Sequence, residues 1–333
     1  MSYELVELCA GTASVSLWAL GRCRPLTGFM GSKRRWAGQI VESLEVDRPE
    51  RVVLVDAGPW GDVWSVLQAS DARAEVAAIL DGWDAEDETP HGLWRRMVDL
   101  EPPANAPERV AQYLWLQARS AGTIPIWWSG TRWESPSGSR TETAHQRGGC
   151  AASSRGTGAD HDRGAGVMGV RHRRRTADVG PAYESGGLTR GARGGRSVGK
   201  PDHPQARGIQ YPSTIARRIR ALDHIDWSRV EVVHGDVRSV EPIPGATVYH
   251  DPPYLGCPRY AELLPRADVL ALAQRWADAG CRVAVSEAEP LPIEGWTARQ
   301  LARREWLTAS WRARWPEQLS LTETDGWRTA SMP

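Results

Sequence analysis

Hydrophobic positions along the chain fall into short blocks of two kinds, and the way the kinds alternate predicts the fold. Tyr3 to Cys9 is a short apolar run ending in "CAGTAS", and "VSLWALG" after it has helical spacing, which predicts strand, tight turn and helix. "RVVLVDAG", Arg51 to Gly58, predicts a second buried strand that ends in an acid, followed by helical patterns at about 60–70 and 72–83. "PERVAQYLWLQARSAG", from Pro107, predicts an amphipathic helix with Pro near its start and Gly past its end. Further on, "PSTIARRIRALDHI" predicts a helix from about Pro212, and "VEVVHGD" and "ATVYHD" two strands around a Pro-rich turn. "RADVLALAQRWADAG" predicts a helix, "CRVAVSEA" a strand, and the mixed carboxyl end two added hairpin strands. Strands alternating with helices at this spacing predict an α/β protein with a mostly parallel, doubly wound sheet. Ligands of such sheets bind past the carboxyl ends of the strands, where strand order reverses. Cys9 to Ser14, Asp56, Asp236 and Asp251 to Tyr254 all fall at those ends.

From Gly130 to Gly208 the apolar periodicity disappears, and Gly, Ser, Arg and Thr dominate, with "RHRRR" at Arg171 to Arg175 and "RGARGGR" at Arg190 to Arg196. This predicts a flexible, basic, low-complexity insertion (130–208) between a first half (1–129) and a second half (209–333) of one domain. The chain has no net charge, but Gly130 to Arg220 holds 17 Lys and Arg against 7 Asp and Glu, while the remainder holds 24 against 34. A basic segment in an otherwise acidic chain fits either a polyanion contact or a solvated linker. So poor in apolar residues, it is expected to order only on a partner or to serve as a tether, with Trp133 a candidate to stack or wedge. Five cysteines without a C-x-x-C pattern point to a reducing compartment and away from a disulfide framework. His145, Cys150, His161 and His172 match no closed metal site, so no metal is expected. With no signal-peptide pattern and no apolar run near about 18 residues, the expectation is a soluble, cytoplasmic protein without a membrane partner.

The chemistry concentrates at "ATVYHDPPYLGCPRY". Two consecutive prolines stop a strand ladder, because neither donates a backbone hydrogen bond. A carboxylate before them and an aromatic ring after them then stand on a stiff corner suited to a flat, hydrogen-bonding substrate.

Three stretches resemble the amino-methylating DNA methyltransferases, the Dam-like adenine-N6 group in particular: "LVELCAGTASVSL" (Leu5 to Leu17), "GFMGSKRRWAGQI" (Gly28 to Ile40) and "DPPYLGCPRY" (Asp251 to Tyr260). Weaker echoes are "YLWLQARSAG", "RVAVSEA" and "EWL" at Glu305 to Leu307. The resemblance implies a Rossmann-like S-adenosylmethionine-dependent methyltransferase fold, S-adenosylmethionine as cofactor and double-stranded DNA as partner. It implies catalytic roles for Asp251, Pro252, Pro253 and Tyr254, and cofactor roles for Glu7, Cys9, Ala10, Gly11, Thr12, Lys33, Asp56 and Asp236. An exocyclic amine is a weak nucleophile, because its lone pair is delocalised into the ring. The Asp251 carboxylate and the Pro252 carbonyl would accept its hydrogens, Pro253 would keep them in place beforehand, and Tyr254 would stack on the flipped base. The helix amino end near Gly11 suits a carboxylate, Asp56 the ribose hydroxyls, and Asp236 the cofactor's adenine amino group, unless Asp236 merely caps its turn. Trp60 lies beside the expected cofactor ring, although most of the 17 tryptophans must serve packing. The chain departs from the family in three ways. Cys9 replaces an aromatic, Ala13 a common second Gly, and the Gly-Lys stretch follows the Gly loop instead of preceding it. Lys33 is therefore either a relocated site residue or a surface lysine. Cytosine-N4 or RNA methylation, and an inactive DNA-binding protein on the same scaffold, remain open.

Overall fold

The computed structural model describes residues 3–29, 31–86, 88–120, 124–135, 211–254 and 264–311. All lie in one compact unit formed by residues 1–148 and 208–333. The two basic runs, His145, Cys150, His161, His172 and Tyr260 lie outside the described residues.

Nine strands and eight α-helices are described. The strands are β1 (Glu4–Leu8), β2 (Arg51–Asp56), β3 (Trp127–Trp128), β4 (Trp133–Glu134), β5 (Val230–His234), β6 (Thr247–His250), β7 (Arg282–Glu287), β8 (Thr297–Ala302) and β9 (Glu305–Ala309). The helices are α1 (Ser14–Gly21), α2 (Ala37–Leu44), α3 (Pro59–Leu67), α4 (Ser70–Ala85), α5 (Pro90–Val98), α6 (Ala106–Arg119), α7 (Pro212–Arg220) and α8 (Arg266–Asp278). Seven strands form one sheet in the order β5-β2-β1-β6-β7-β9-β8. The first five run parallel, and β9 is antiparallel to both of its neighbours. The predicted α/β class, the mostly parallel sheet and the carboxyl-terminal hairpin are all present. Strand order reverses between β1 and β6, because the chain first builds outward from β1 to β2 and β5, then returns to lay β6 and β7 on the other side.

Side chains alternate across the strands, and both faces are buried. Leu5, Val52, Leu54, Tyr249 and Ala284 pack with α1 to α7, whereas Val6, Leu8, Val53, Val55, Val248, Val283 and Val285 pack with α8. Burial on both faces is why these strands read as nearly continuous apolar runs. Trp64, Trp115 and Trp276 are fully buried, which accounts for several of the many tryptophans.

Two helices were not legible in the pattern. In α2, Gly38 lies against α1, where an added Cβ would stand 3.0 Å from Cζ2 of Trp18. In α5, Thr89 accepts a hydrogen bond from the Gly92 N–H and Pro90 occupies the first turn, a cap and start signal.

The division at 129/130 runs through the β3–β4 hairpin, where Trp128 pairs with Trp133. Trp133 is 5% exposed, and its indole N–H donates to the Leu100 carbonyl at 3.1 Å. It is a core residue, not a stacking or wedging one, because its ring packs against Trp128 and its one donor is satisfied inside the protein. Among the described residues, no helix is long and apolar enough to cross a membrane.

Candidate functional site

The carboxyl ends of β1 and β6 lie side by side at the reversal of strand order, where a crevice opens in such sheets. The ladder between them extends one residue further, as the Asp251 N–H donates to the Leu8 carbonyl at 3.1 Å. Pro252 and Pro253 then end it, since neither carries an N–H.

The chain leaves β1 through a strained loop. Cys9 (φ 57°), Gly11 (φ 48°) and Ala13 (φ 48°) are all left-handed. Glycine adopts this conformation freely, whereas Cys9 and Ala13 do so at about 1–2 kcal/mol each. Tertiary bonds hold the loop: Ala10 N–H to Val55 O at 2.9 Å, Trp64 Nε1–H to Gly11 O at 2.7 Å, and Gly11 N–H to Asp56 Oδ2 at 2.8 Å. Beneath it, the Cys9 Sγ lies 3.7 Å from Nε2 of the fully buried His250. Burial lowers the His250 pKa to about 3, so this ring is neutral.

Asp56 ends β2 and fastens two loops at once. Its Oδ1 accepts from the Gly58 N–H at 2.8 Å while Oδ2 holds Gly11. The Gly61 N–H also acts on this carboxylate. Burial raises the Asp56 pKa, opposed by these N–H groups. Gly61 lets α3 begin close against β2 and β5, because an added Cβ would stand 2.4 Å from both the Asp56 carbonyl and the His234 ring. Asp236 is engaged in its own turn: it accepts from the Arg238 N–H at 2.8 Å and pairs with the Arg238 guanidinium, which lowers its pKa. It is thus a turn cap that also borders the cavity described below.

Lys33 is the residue whose place the sequence left open. It is 3% exposed, which rules out a surface lysine. Its Nζ lies 2.6 Å from Asp251 Oδ1, donates to the Gly31 carbonyl at 2.8 Å and stands 4.7 Å from the centre of the Tyr254 ring. Three hydroxyls bring it there. Thr12, Ser14 and Ser32 bond one another at 2.8–3.0 Å, tying the turn before Lys33 to the start of α1. The segment after α1 folds back over the strand ends and delivers its lysine to the diproline corner. Burial is the largest influence on Asp251 and raises its pKa to about 7; Lys33 opposes this, while Glu305 and Glu287 add to it.

One cavity of about 450 Å³ joins these groups, a size within the usual range for small-molecule sites. Glu7, Cys9, Ala10, Gly11, Thr12 and Asp56 line one part, and Lys33, Asp236, Asp251 and Pro253 line another. Pro252 is buried, and neither it nor Tyr254 is among the lining residues. The expected stacking face of Tyr254 is covered on one side by the Lys33 ammonium, and the Tyr254 hydroxyl donates to Glu305 at 2.6 Å. Sequence reasoning missed the aromatic wall of the cavity, made by Phe29, Tyr113, Trp127 and Trp128. It also gave Glu305 no role. Trp60 reaches the cavity but is 2% exposed, stacked on Trp64 and edge-on to Phe29 and Tyr113.

No family model matches this chain, and no curated protein matches it either. The cavity must therefore be judged on its own chemistry. An adenosine-bearing sulfonium cofactor needs acceptors for ribose hydroxyls, donors for a carboxylate and an apolar wall for its base. The Asp56 carboxylate is an acceptor at the cavity edge and the aromatic wall is present, whereas the Thr12, Ser14 and Ser32 hydroxyls at the amino end of α1 bond one another. Among the described residues the buried Trp60 indole N–H has no hydrogen-bond partner, a further polar atom beside the cavity. Asp56 and the aromatic wall are of the kinds that the ribose and base of such a cofactor need. Among the described residues, no group of three or more His, Cys, Asp or Glu is arranged to hold a metal ion.

Glu7 belongs to the same cavity but reports on stability. It is 2% exposed, its Oε2 accepts the Ser16 N–H at 2.8 Å, and burial raises its pKa from 4.5 to about 7. A carboxyl with a raised folded-state pKa stabilises the fold fully below its unfolded value. That contribution is lost as pH rises through the folded value, here on the order of 3 kcal/mol between about pH 4.5 and above pH 7. Glu7→Gln keeps an acceptor for Ser16 and removes the titration. Thermal unfolding of this variant is expected to lose less stability than wild type between about pH 5 and about pH 8. Equal losses in the two proteins contradict the assignment.

Proposed function

We propose that the protein is an S-adenosylmethionine-dependent DNA methyltransferase acting on an exocyclic amino group, that of adenine N6. What supports the reading is the continuity of one cavity from Gly11 and Asp56 to Asp251 at the reversal of strand order. In this reading the sheet is the methyltransferase variant of a Rossmann-like fold.

S-adenosylmethionine, when bound, would supply an electrophilic methyl group, its sulfonium leaving as a neutral thioether when the S–CH3 bond breaks. Asp56 and the turn at Thr12 would hold it in the cavity that also reaches Asp251. Asp251 Oδ1 accepts one hydrogen of the amino group and the Pro252 carbonyl accepts the other, so that the nitrogen lone pair leaves conjugation with the ring. The two prolines fix the backbone that carries both acceptors. The nitrogen gains the methyl group and loses one proton, and a carboxylate with a pKa of about 7 is well matched to hold that proton near neutrality. Tyr254 does not line the cavity, so stacking of a flipped base on it requires the ring face opposite Lys33 to open toward the cavity.

The test is mass spectrometry of nucleosides from DNA of cells that express the protein. N6-methyladenine supports the reading, N4-methylcytosine moves the target to cytosine, and unmodified DNA contradicts it. A second reading, a DNA-binding protein that has lost transfer, is favoured by the left-handed Cys9 and Ala13 in the loop that lines the cofactor part of the cavity. Calorimetry with S-adenosylmethionine separates the two, since loss of the cofactor site predicts no heat of binding.

A further inference from the structure

Glu305 opens β9, and the antiparallel pairing of β9 with β7 brings it beside the corner that follows β6. Its side chain is 13% exposed. One oxygen, Oε1, accepts the Tyr254 hydroxyl at 2.6 Å and lies 3.7 Å from the Lys33 Nζ. The same ammonium stands 2.6 Å from Asp251 and over the Tyr254 ring. One lysine thus lies between two carboxylates, against a ring whose hydroxyl one of the carboxylates holds.

This arrangement poses a problem for an amino substrate. Lys33 occupies one acceptor position of Asp251 Oδ1, so an amino group that approaches that oxygen competes with the ammonium. An ammonium that moves off Asp251 needs another anion, because a buried, unpaired charge is costly. Glu305 is the carboxylate within reach. Other charged or titratable groups act on Asp251 or are acted on by it: Glu287 of β7, Glu7 of β1, Cys9, Tyr249 and Tyr254. Among them only Asp251 and Glu305 pair with Lys33 in the described structure.

We propose that Glu305 is a positioning residue of this site: it fixes the Tyr254 ring through its hydroxyl and takes over the Lys33 ammonium when a substrate amino group displaces it from Asp251. The inference rests on the amino-transfer reading given above. Lys33 then acts as a place-holder that keeps Asp251 ionised in the empty site, and Glu305 as its alternative seat.

Glu305→Gln keeps an acceptor for Tyr254 and removes the charge, whereas Glu305→Ala removes both. With Glu305→Gln, the KM for a short DNA duplex is expected to rise by about tenfold with kcat less affected, because Lys33 no longer has a second anion. Glu305→Ala is expected to lower kcat as well, and adding Tyr254→Phe to it has little further effect, since the hydroxyl contact is already gone. A readout independent of turnover is the carboxyl ¹³C titration of Asp251, which should move down in Glu305→Gln, because Glu305 raises it. An Asp251 titration unmoved by Glu305→Gln overturns the proposal, as does a wild-type KM in both Glu305 variants. If wild-type protein transfers no methyl group, the functional reading fails while the titration still decides whether Glu305 and Asp251 share Lys33.

Discussion

Replacing Asp251 with alanine is expected to reduce methyl transfer by about a hundredfold to a thousandfold, the scale on which removal of one electrostatic contact to a reacting group acts. The carboxylate is held where it is by its own backbone bond to Leu8 and by the prolines after it. Truncating its side chain therefore removes the acceptor without disturbing the strand. Cofactor binding should survive within about twofold, because the groups around Gly11 and Asp56 hold one another without help from Asp251. Transfer is followed with tritiated cofactor and binding by calorimetry. Near wild-type turnover in Asp251→Ala would sink the mechanism. Loss of cofactor binding along with turnover would instead mean that the two parts of the cavity are structurally coupled.

Lys33→Ala is expected to act through the protonation state of Asp251. In the intact protein burial raises the Asp251 pKa to about 7, and Lys33 is the main influence holding it from rising further. Without the ammonium it moves up, so at neutral pH the carboxyl is mostly neutral and no longer available to accept an amino hydrogen from the start. Turnover in Lys33→Ala is therefore expected to be about tenfold or more below wild type at neutral pH and to recover as pH rises, with the acidic limb of the pH–rate profile displaced upward. Glu305→Gln displaces the same limb in the opposite direction, which separates both effects from a general loss of structure. A profile for Lys33→Ala that is lower at every pH but unshifted would show that Lys33 does not control Asp251.

Much of this site was legible before any coordinates, for reasons of local chemistry. A strand end followed by two prolines is fixed by the missing N–H groups, so the Asp251 corner could be located from four letters. Gly11 and Asp56 stand at the ends of β1 and β2, where period and length of the apolar runs place them. Asp236 shows where local reasoning reached its limit. A carboxylate after a strand is equally a ligand group and a turn cap, and in the described structure Asp236 caps its turn through Arg238, two residues on, while it also borders the cavity. Trp133 failed for a different reason. Its neighbours in sequence are polar and glycine-rich, but the hairpin turns its ring onto Trp128 and its N–H onto Leu100.

The sequence by itself determined the alternation of strands and helices, the burial of both sheet faces and the stiff acid–proline corner, because each depends on residues within a few positions of one another. Only the tertiary structure decided where Lys33 goes and what Glu305 does. Lys33 and Asp251 are far apart in the chain, and Glu305 joins them only because β9 runs back alongside β7. Periodicity carries no information about such meetings. They follow from the order in which strands enter the sheet, and that order was set by how the whole set of apolar faces packs together.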